Sequence, residues 1–279
     1  MCEFCTKHGE GKKWYLNAKN YGYDLLSDSK RAPFVRDHLY WTDSTYRKYF
    51  NIFKYLPVNI PIIGPTIKAI IKRKYLYEHW GQVVPIEDVE SVLAFTNSIT
   101  RLPCICRKVI FGEEARKCFF ISLDPASTGI ADIVDQSYFG GPDVARFEKV
   151  EKDWVIKFMR ESEMKGMIHT IWTFRAPFIG GFCNCNVSSG CIPMKMYKEV
   201  TPVVFRSEYI CIVNSSICSG CRACLSLCQF GAMKYDKNDK KVAIDLKRCY
   251  GCGICRSVCK MNAIRLESRR SKQETFNLW

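Results

Sequence analysis

The sequence predicts an α+β protein in which a mixed α/β, cysteine-rich domain precedes a smaller cysteine-rich domain near the C-terminal end. Three observations support this prediction. Helical and β-like segments alternate over residues 84–204, a cysteine pattern repeats within residues 205–268, and the chain contains 17 cysteines in 279 residues. The sequence therefore divides into an N-terminal segment of residues 1–83, a middle domain of residues 84–204 and a C-terminal domain with its tail, residues 205–279.

The N-terminal segment is basic and aromatic, with 14 basic and 7 acidic side chains in residues 1–80. It has no run of about 18 apolar residues, the length that a membrane-spanning helix needs. Its most apolar stretch, YLPVNIPIIGPTIKAIIKRKY from Tyr55, is interrupted by prolines and Lys68. The end of this stretch is expected to lie on a membrane surface or on a partner protein. We interpret residues 1–83 as a docking region within a complex.

The middle domain is predicted from two passages that each lead from a helix into cysteines. Residues 84–99 have a helical period with acidic residues early, and the sequence ITRLPCICRKVIF follows, which is strand-like and interrupted by Pro103. A second helix is expected at about 148–165, followed by a strand over 166–174 that leads into FCNC. No glycine-rich nucleotide motif and no nucleic-acid-binding module is present in these passages.

The C-terminal domain contains the strongest signal, a repeat with an offset of 31 residues. CSGCRACLSLCQFGAMKYD begins at Cys218 and CYGCGICRSVCKMNAIRLE begins at Cys249, so that four cysteines align with four. Each run has the spacing C-x2-C-x2-C-x3-C, in which a tight loop can wrap three thiolates around one iron–sulfur cubane. The intervening MKYDKNDKKVAIDL is predicted to form a hairpin. Paired zinc knuckles are the alternative for these eight cysteines.

These two runs resemble a bacterial-type two-cluster 2[4Fe–4S] ferredoxin domain, here at the C-terminus of a larger 4Fe–4S-binding protein. The resemblance implies a ferredoxin-like fold and two [4Fe–4S] clusters that exchange one ligand each. It assigns one cluster to Cys218, Cys221, Cys224 and Cys259, and the other to Cys249, Cys252, Cys255 and Cys228. One difference is visible, since Gln229 and Lys260 stand where the family usually has proline after the fourth cysteine.

Six further cysteines fall in the middle domain, and we predict that they bind a third iron–sulfur cluster. Cys104 and Cys106, like Cys183 and Cys185, are two positions apart, a spacing of about 6.5 Å on one side of an extended chain. A tetrahedral zinc needs sulfurs only about 3.8 Å apart, so the larger cluster fits better. Cys118 and Cys191 are candidate additional ligands. Zinc, free thiols, and a cluster that is larger than one cubane or has an open iron remain alternatives.

Cys2 and Cys5 are candidate metal ligands near His8, with a mobile terminus as the alternative. Cys211 lies in a strand-like segment and is predicted to be a buried apolar residue. The odd number of cysteines and their short spacings are typical of metal binding and not of a disulfide framework. No signal peptide is evident at the N-terminus. We therefore expect a reducing, cytoplasmic environment, and oxygen-sensitive clusters would suit an anaerobic one.

The expected function is electron transfer: a subunit of an oxidoreductase complex that relays low-potential electrons between a donor and a partner redox enzyme. The net charge of +14 and the 14 basic against 6 acidic side chains in residues 201–279 favour an acidic redox partner. The paired cysteine layout of the middle domain is similar to uncharacterised 4Fe–4S-binding proteins with a ferredoxin-like C-terminus. An oxidoreductase that uses the middle-domain cluster as its catalytic site is the alternative, and a redox sensor is a third hypothesis.

Overall fold

A computed structural model describes residues 13–37, 55–78, 81–112, 115–134, 147–188, 190–276 and 278. It contains both helices and strands, which confirms the α+β class. The strands are β1 Gly81–Val84, β2 Ser98–Leu102, β3 Cys118–Ser122, β4 Glu148–Lys149, β5 Ile168–Thr173, β6 Ile179–Cys185, β7 Tyr209–Val213, β8 Met233–Asp236, β9 Lys241–Ile244 and β10 Ile264–Ser268. The α-helices are α1 Tyr23–Leu26, α2 Ile63–Glu78, α3 Ile86–Phe95, α4 Ile105–Phe111, α5 Lys152–Met164, α6 Ile192–Glu199 and α7 Ala223–Leu227.

Short 3₁₀ segments complete the described elements, at Trp14–Leu16, Ala18–Tyr21, Gly129–Asp132, Ile254–Arg256, Arg269–Ser271 and Gln273–Thr275. Cys2 and Cys5 lie outside the described residues, so their predicted ligation stays a prediction. Within the described parts of the chain, no helix is both long and apolar enough to span a membrane.

A six-stranded antiparallel sheet organises the middle of the chain, in the order β1-β5-β6-β3-β2-β4. Successive side chains of a strand point to opposite faces of a sheet. Val84 accordingly packs into a core with α3 and α5, whereas Val83 packs into a second core on the other face. Because both faces are covered, the strands are buried along most of their length.

The first core confirms the two predicted helices, with tighter bounds. In α3, Val89, Val92 and Leu93 are fully buried at helical spacing, and α5 contributes Val155 and Met159. The helix α3 stops at Phe95, earlier than residue 99, because residues 98–102 pair with β3 and β4 as a strand.

The prediction of a strand-like PCICR segment is wrong in its second half. The strand β2 ends at Leu102, and α4 begins at Ile105. Pro103 has no backbone N–H to donate to a sheet, so pairing ends there. Cys104 takes the N-cap position and its carbonyl accepts the first helical hydrogen bonds, from Arg107 and Lys108. Cys104 and Cys106 therefore lie at the start of a helix and not on a strand.

The second core joins the sheet to the C-terminal residues. It contains Met194 of α6 with Phe230, Tyr250 and Cys252. The C-terminal part itself consists of the antiparallel pair β7–β10 and the hairpin β8–β9, which confirms the predicted hairpin. Parts of both cysteine runs, among them Cys228 and Cys252, thus pack in the core behind one face of the middle sheet.

A buried carboxylate ties the N-terminal residues to both other parts of the chain. Asp88 of α3, which is 2% exposed, accepts hydrogen bonds from Tyr15 Oη at 2.5 Å and Tyr209 Oη at 3.0 Å. Lys13 Nζ lies 3.3 Å from the same carboxylate. One side chain therefore holds the segment around residue 14, the middle sheet and β7 together.

We expect Asp88→Asn to lower the free energy of unfolding by about 2–4 kcal/mol, because a buried acceptor of a cation and two hydroxyls loses its charge. Chemical denaturation measures the loss. Asp37→Asn is the control, since the Asp37 side chain is 73% exposed and, among the described residues, its ion pair is with Arg36 at 3.8 Å. Equal stability of the two variants would contradict a structural role for Asp88.

Candidate functional site

Four cysteines from both runs surround one cavity in the C-terminal part of the chain. Cys218, Cys221 and Cys224 come from the first run and Cys259 comes from the second, and together they line a cavity of about 170 Å³. The set is partly open to solvent, because Cys221 is exposed whereas Cys218 and Cys224 are buried. The structure thus brings together the first of the two predicted ligand sets, which we call the outer set.

The second predicted set is assembled deeper in the molecule. Cys249, Cys252 and Cys255 are each less than 9% exposed. The thiols of these cysteines and of Cys228 interact electrostatically with one another, and burial raises the pKa of the Cys252 thiol well above its usual value. We call Cys228, Cys249, Cys252 and Cys255 the inner set. Cys228 of the first run packs against the core that contains Cys252 and against the core that contains Cys249 and Cys255, which places it beside the second run.

The loops reach this arrangement through backbone conformations that the sequence permits. Gly220 and Gly251 both have φ of +69°, and a Cβ on Gly251 would lie 1.9 Å from the Tyr209 carbonyl oxygen. Backbone N–H groups then point at sulfur: Ala232 N lies 3.2 Å from Cys228 Sγ, and Ala263 N lies 3.3 Å from Cys259 Sγ. Such donors stabilise thiolates, the form in which cysteine binds metals.

Two arginines converge on the inner set, of which Arg269 is buried and Arg206 is half-buried. Arg206 Nη1 and Arg269 Nη2 donate to the Cys249 carbonyl at 3.1 and 3.0 Å. Arg269 is 1% exposed, and burial together with Arg206 lowers its pKa to about 10. Arg269 Nη1 and Arg206 Nε have no hydrogen-bond acceptor among the described residues. Buried positive charge needs negative counterparts: the buried Glu208 carboxylate is one such neighbour of Arg269, and an anionic, thiolate-ligated iron–sulfur cluster also fits this place.

A fifth cysteine touches the inner set, which the sequence analysis did not foresee. Cys211 on β7 is 2% exposed, as predicted for an apolar residue, but its thiol contacts Cys249 and Cys255. Its backbone N–H also donates to Cys249 Sγ at 3.4 Å. Pairing of β7 with β10 places it there, and no spacing rule connects it with the two runs.

We expect Cys211→Ala to keep the iron content of the wild-type protein, because four other cysteines complete the inner set. The backbone N–H that reaches Cys249 is unaffected by this change. Iron and sulfide analysis of anaerobically purified protein measures the result. A loss of about four iron atoms per chain, the content of one cubane, would show instead that Cys211 is a ligand.

The six cysteines of the middle domain line one cavity of about 130 Å³. They come from the start of α4, from β3, from β6 and from the start of α6: Cys104, Cys106, Cys118, Cys183, Cys185 and Cys191. The remaining walls are largely apolar and include Trp172, Phe174 and Phe182. No group of three or more His, Cys, Asp or Glu residues arranged around a single metal ion is found in the described ranges.

Four of these six thiols form a contact network. Cys118 and Cys183 are directly opposite each other on β3 and β6. The thiols of Cys106 and Cys118 contact Cys104 and hold its pKa well below its usual value, and the same contacts raise the pKa of both partners. Arg107 Nη1 also donates to Cys104 Sγ at 3.1 Å, so that a buried guanidinium faces the sulfurs. This charge and donor set suits an anionic cluster.

The other two cysteines are joined to each other. Cys185 and Cys191 form a disulfide with a Cα–Cα distance of 5.5 Å. The sequence analysis grouped Cys183 with Cys185 and treated Cys118 as additional. In the structure Cys118 takes the position nearest Cys183, because β3 lies beside β6 in the sheet.

The inner set and the six-cysteine cavity meet in one hydrophobic core. Cys252 is buried in the same cluster of side chains as Cys185 and Cys191, and Cys228 and Cys183 pack at its edge. The same core contains the stacked rings of Phe230 and Tyr250, whose centroids are 4.0 Å apart.

Comparison with known families identifies the C-terminal part of the chain. The family described as "4Fe-4S dicluster domain" matches residues 217–263, which include both cysteine runs. The chain therefore carries a 4Fe–4S ferredoxin-type domain near its C-terminus, which supports a general role in iron–sulfur electron transfer. A search of curated proteins gives no match.

Proposed function

We propose that this chain relays low-potential electrons through three iron–sulfur clusters. The outer set (Cys218, Cys221, Cys224, Cys259) and the inner set (Cys228, Cys249, Cys252, Cys255) hold one [4Fe–4S] cluster each, as in bacterial two-cluster ferredoxins. Cys104, Cys106, Cys118 and Cys183 hold a third. The observation that carries the proposal is the shared core, which places the inner set against the six-cysteine cavity.

Each cluster supplies a site that takes up and releases one electron. The protein determines the order of the sites. Cys221 is exposed, the inner set is buried, and the six-cysteine cavity lies beyond it against the sheet. Clusters held by these residues would form a path that begins at the exposed outer set and leads inward to the middle sheet. Burial of the inner set also keeps solvent oxidants away from the middle of this path.

The entry point has the surface that an acidic redox protein requires. Arg222 and Lys260 line the outer cavity, and Ile217 and Met261 beside it are 44% and 50% exposed. An apolar centre with cationic neighbours is typical of transient docking, in which charge steers the encounter. We infer that an acidic electron donor docks here.

The N-terminal segment supplies a second attachment surface in this proposal. Ile63 and Ile70 of α2 are 50% and 64% exposed. The same helix contains the cationic residues Lys68, Lys72, Arg73 and Lys74. We propose that residues 1–83 dock the chain within an oxidoreductase complex in the cytoplasm. The alternative role of this segment is peripheral contact with a membrane. The middle domain of residues 84–204 and the C-terminal domain of residues 205–279 then carry the clusters.

A catalytic role of the middle domain is the second candidate. The six-cysteine cavity has two cysteines more than one cubane needs, and it is enclosed by apolar side chains that could exclude water from a reaction. In this case the middle site would be the end of the electron path and would act on a bound substrate. Turnover that disappears in Cys118→Ser protein with the iron retained would favour catalysis.

Anaerobic iron and sulfide analysis with EPR of dithionite-reduced protein tests the proposal. Full-length protein is expected to contain about twelve iron atoms, and the variants Cys224→Ser, Cys252→Ser and Cys183→Ser should each lose the signal of a different cluster. Protein that contains zinc in place of iron, or iron that is unaffected by Cys183→Ser, would contradict the three-cluster proposal.

A further inference from the structure

We propose that Cys185 and Cys191 form a redox-active disulfide that takes up two electrons delivered through the chain. This inference rests on the proposed electron-transfer function. Its starting point is that the six cysteines of the cavity fall into two groups. Four thiols form the contact network around Cys104, whereas Cys185 and Cys191 are bonded to each other. Since four thiolates complete one [4Fe–4S] cluster, this pair is not needed as ligands.

The position of the disulfide determines where its electrons come from. Cys185 and Cys191 are 3% and 2% exposed, so that a thiolate on another protein cannot reach their sulfurs. Both lie in the core that also contains Cys252 of the inner set. The reductant is therefore a low-potential iron–sulfur carrier acting from inside the protein, one electron at a time.

The reaction balances without any further reagent. Two electrons and two protons enter, the bond between the two sulfurs breaks, and Cys185 and Cys191 each become a thiol. The carrier that supplies the electrons is oxidised twice. The site thereby converts two successive one-electron deliveries into one two-electron reduction of the disulfide.

Thr170 places a hydroxyl group beside Cys185, where the opened disulfide takes up a proton. Its Oγ1 lies 3.8 Å from Cys185 Sγ and accepts a hydrogen bond from Trp172 Nε1 at 2.8 Å. The hydroxyl proton is thus directed either to Cys185 or to the Cys183 carbonyl at 3.4 Å. When the disulfide opens, this hydroxyl can donate to the new sulfur anion and stabilise it.

The loop between the two cysteines also contacts the inner set. Val187 N donates to Gln229 Oε1 at 3.1 Å, and Gln229 directly follows the ligand Cys228. The family usually has proline at this position, which cannot make this contact. Gln229 therefore links the loop between Cys185 and Cys191 to the backbone of the inner set. This contact gives a structural role to the glutamine that stands in place of the family's usual proline.

Tryptic mass spectrometry provides a direct readout. Ala176–Lys195 is one tryptic peptide that holds Cys183, Cys185 and Cys191. Full-length protein is prepared anaerobically, either oxidised or reduced with dithionite, then quenched in acid, denatured with a chelator and alkylated with N-ethylmaleimide. We expect the oxidised peptide to carry a disulfide with only Cys183 alkylated, and the reduced peptide to be alkylated at all three cysteines.

Two variants distinguish the disulfide from a larger cluster with six ligands. The double variant Cys185→Ser/Cys191→Ser is expected to keep the wild-type iron content and to take up two electrons fewer in a reductive titration. Cys183→Ser is the comparison and should lose about four iron atoms. Iron loss in the double variant to the same extent as in Cys183→Ser, or a peptide fully alkylated in the oxidised protein, would overturn the proposal.

The outcomes also separate this inference from the proposed function. If the EPR signals of all three clusters appear on reduction but the disulfide stays closed, electron transfer stands and the redox-active disulfide is refuted. If the clusters are absent, the proposed function itself fails. Thr170→Val, which removes only the hydroxyl, is expected to slow opening of the disulfide about tenfold or more without any change in iron content.

Discussion

Replacing Cys252 with serine is expected to stop reduction of the six-cysteine site while the outer cluster is still reduced normally. Cys252 belongs to the inner set and is buried in the core that also contains Cys185 and Cys191. In the proposed path every electron passes this point. Loss of an outer-shell partner of a metal typically costs about 10–100-fold in affinity or activity, so loss of a ligand should slow delivery at least about 100-fold.

Rapid-freeze EPR after mixing with dithionite or a reduced ferredoxin measures this effect, because the signals of the outer and middle clusters can be followed separately. Cys211→Ala is the matched control, since Cys211 touches the inner set from β7 without being needed as a ligand. Reduction of the middle cluster at the wild-type rate in Cys252→Ser protein would show that electrons reach the cavity without the inner set.

The parts of the site that could be read from the sequence are those that are local in the chain. The spacings around Cys218 and Cys249 need only short loops to place their thiols together, and the hairpin β8–β9 lies between the two runs. In the structure Cys259 of the second run accordingly lines the same cavity as Cys218, Cys221 and Cys224 of the first. That these sets bind clusters is supported by the family match and is tested by the experiments above.

The middle site was only partly predictable, because it depends on strand order. Nothing in the local sequence says that β3 lies between β2 and β6, and this order is what puts Cys118 opposite Cys183. The interruption of the strand by Pro103 was visible in the sequence, but periodicity gave no indication of the helix that begins at Ile105. The six cysteines were identified as a group, but their pairing required the fold.

The charges around the inner set were not predictable for the same reason. Arg256 directly follows Cys255 in the sequence, yet it forms an ion pair with Glu87 of α3, with Nη1 2.6 Å from Oε1. The two arginines that reach Cys249 lie far from it along the chain. Arg269 stands in the polar stretch ESRRSK, where a solvated side chain is the usual expectation.

Arg269→Met is expected to lower the reduction potential of the inner cluster by about 60–130 mV. The reduced cluster carries one more negative charge than the oxidised cluster, and the buried guanidinium stabilises that charge. Hydrogen bonds that involve a charged group contribute about 1.5–3 kcal/mol, and about 59 mV corresponds to a tenfold change, or about 1.4 kcal/mol, for a one-electron couple. Removal of the cation therefore makes reduction harder, which fixes the sign of the shift.

Potentiometric titration followed by EPR measures the shift, with two further variants for comparison. Arg265→Met removes a cation whose side chain is 68% exposed and pairs with Glu267, and should leave the potential nearly unchanged. Arg269→Lys keeps the charge but loses the fork that donates to Ser207, Tyr209 and Cys249. If the methionine variant destabilises the protein, the lysine variant should still show a smaller shift of the same sign. An unchanged potential in both, with the cluster retained, would mean that the buried charge serves the fold and not the electron path.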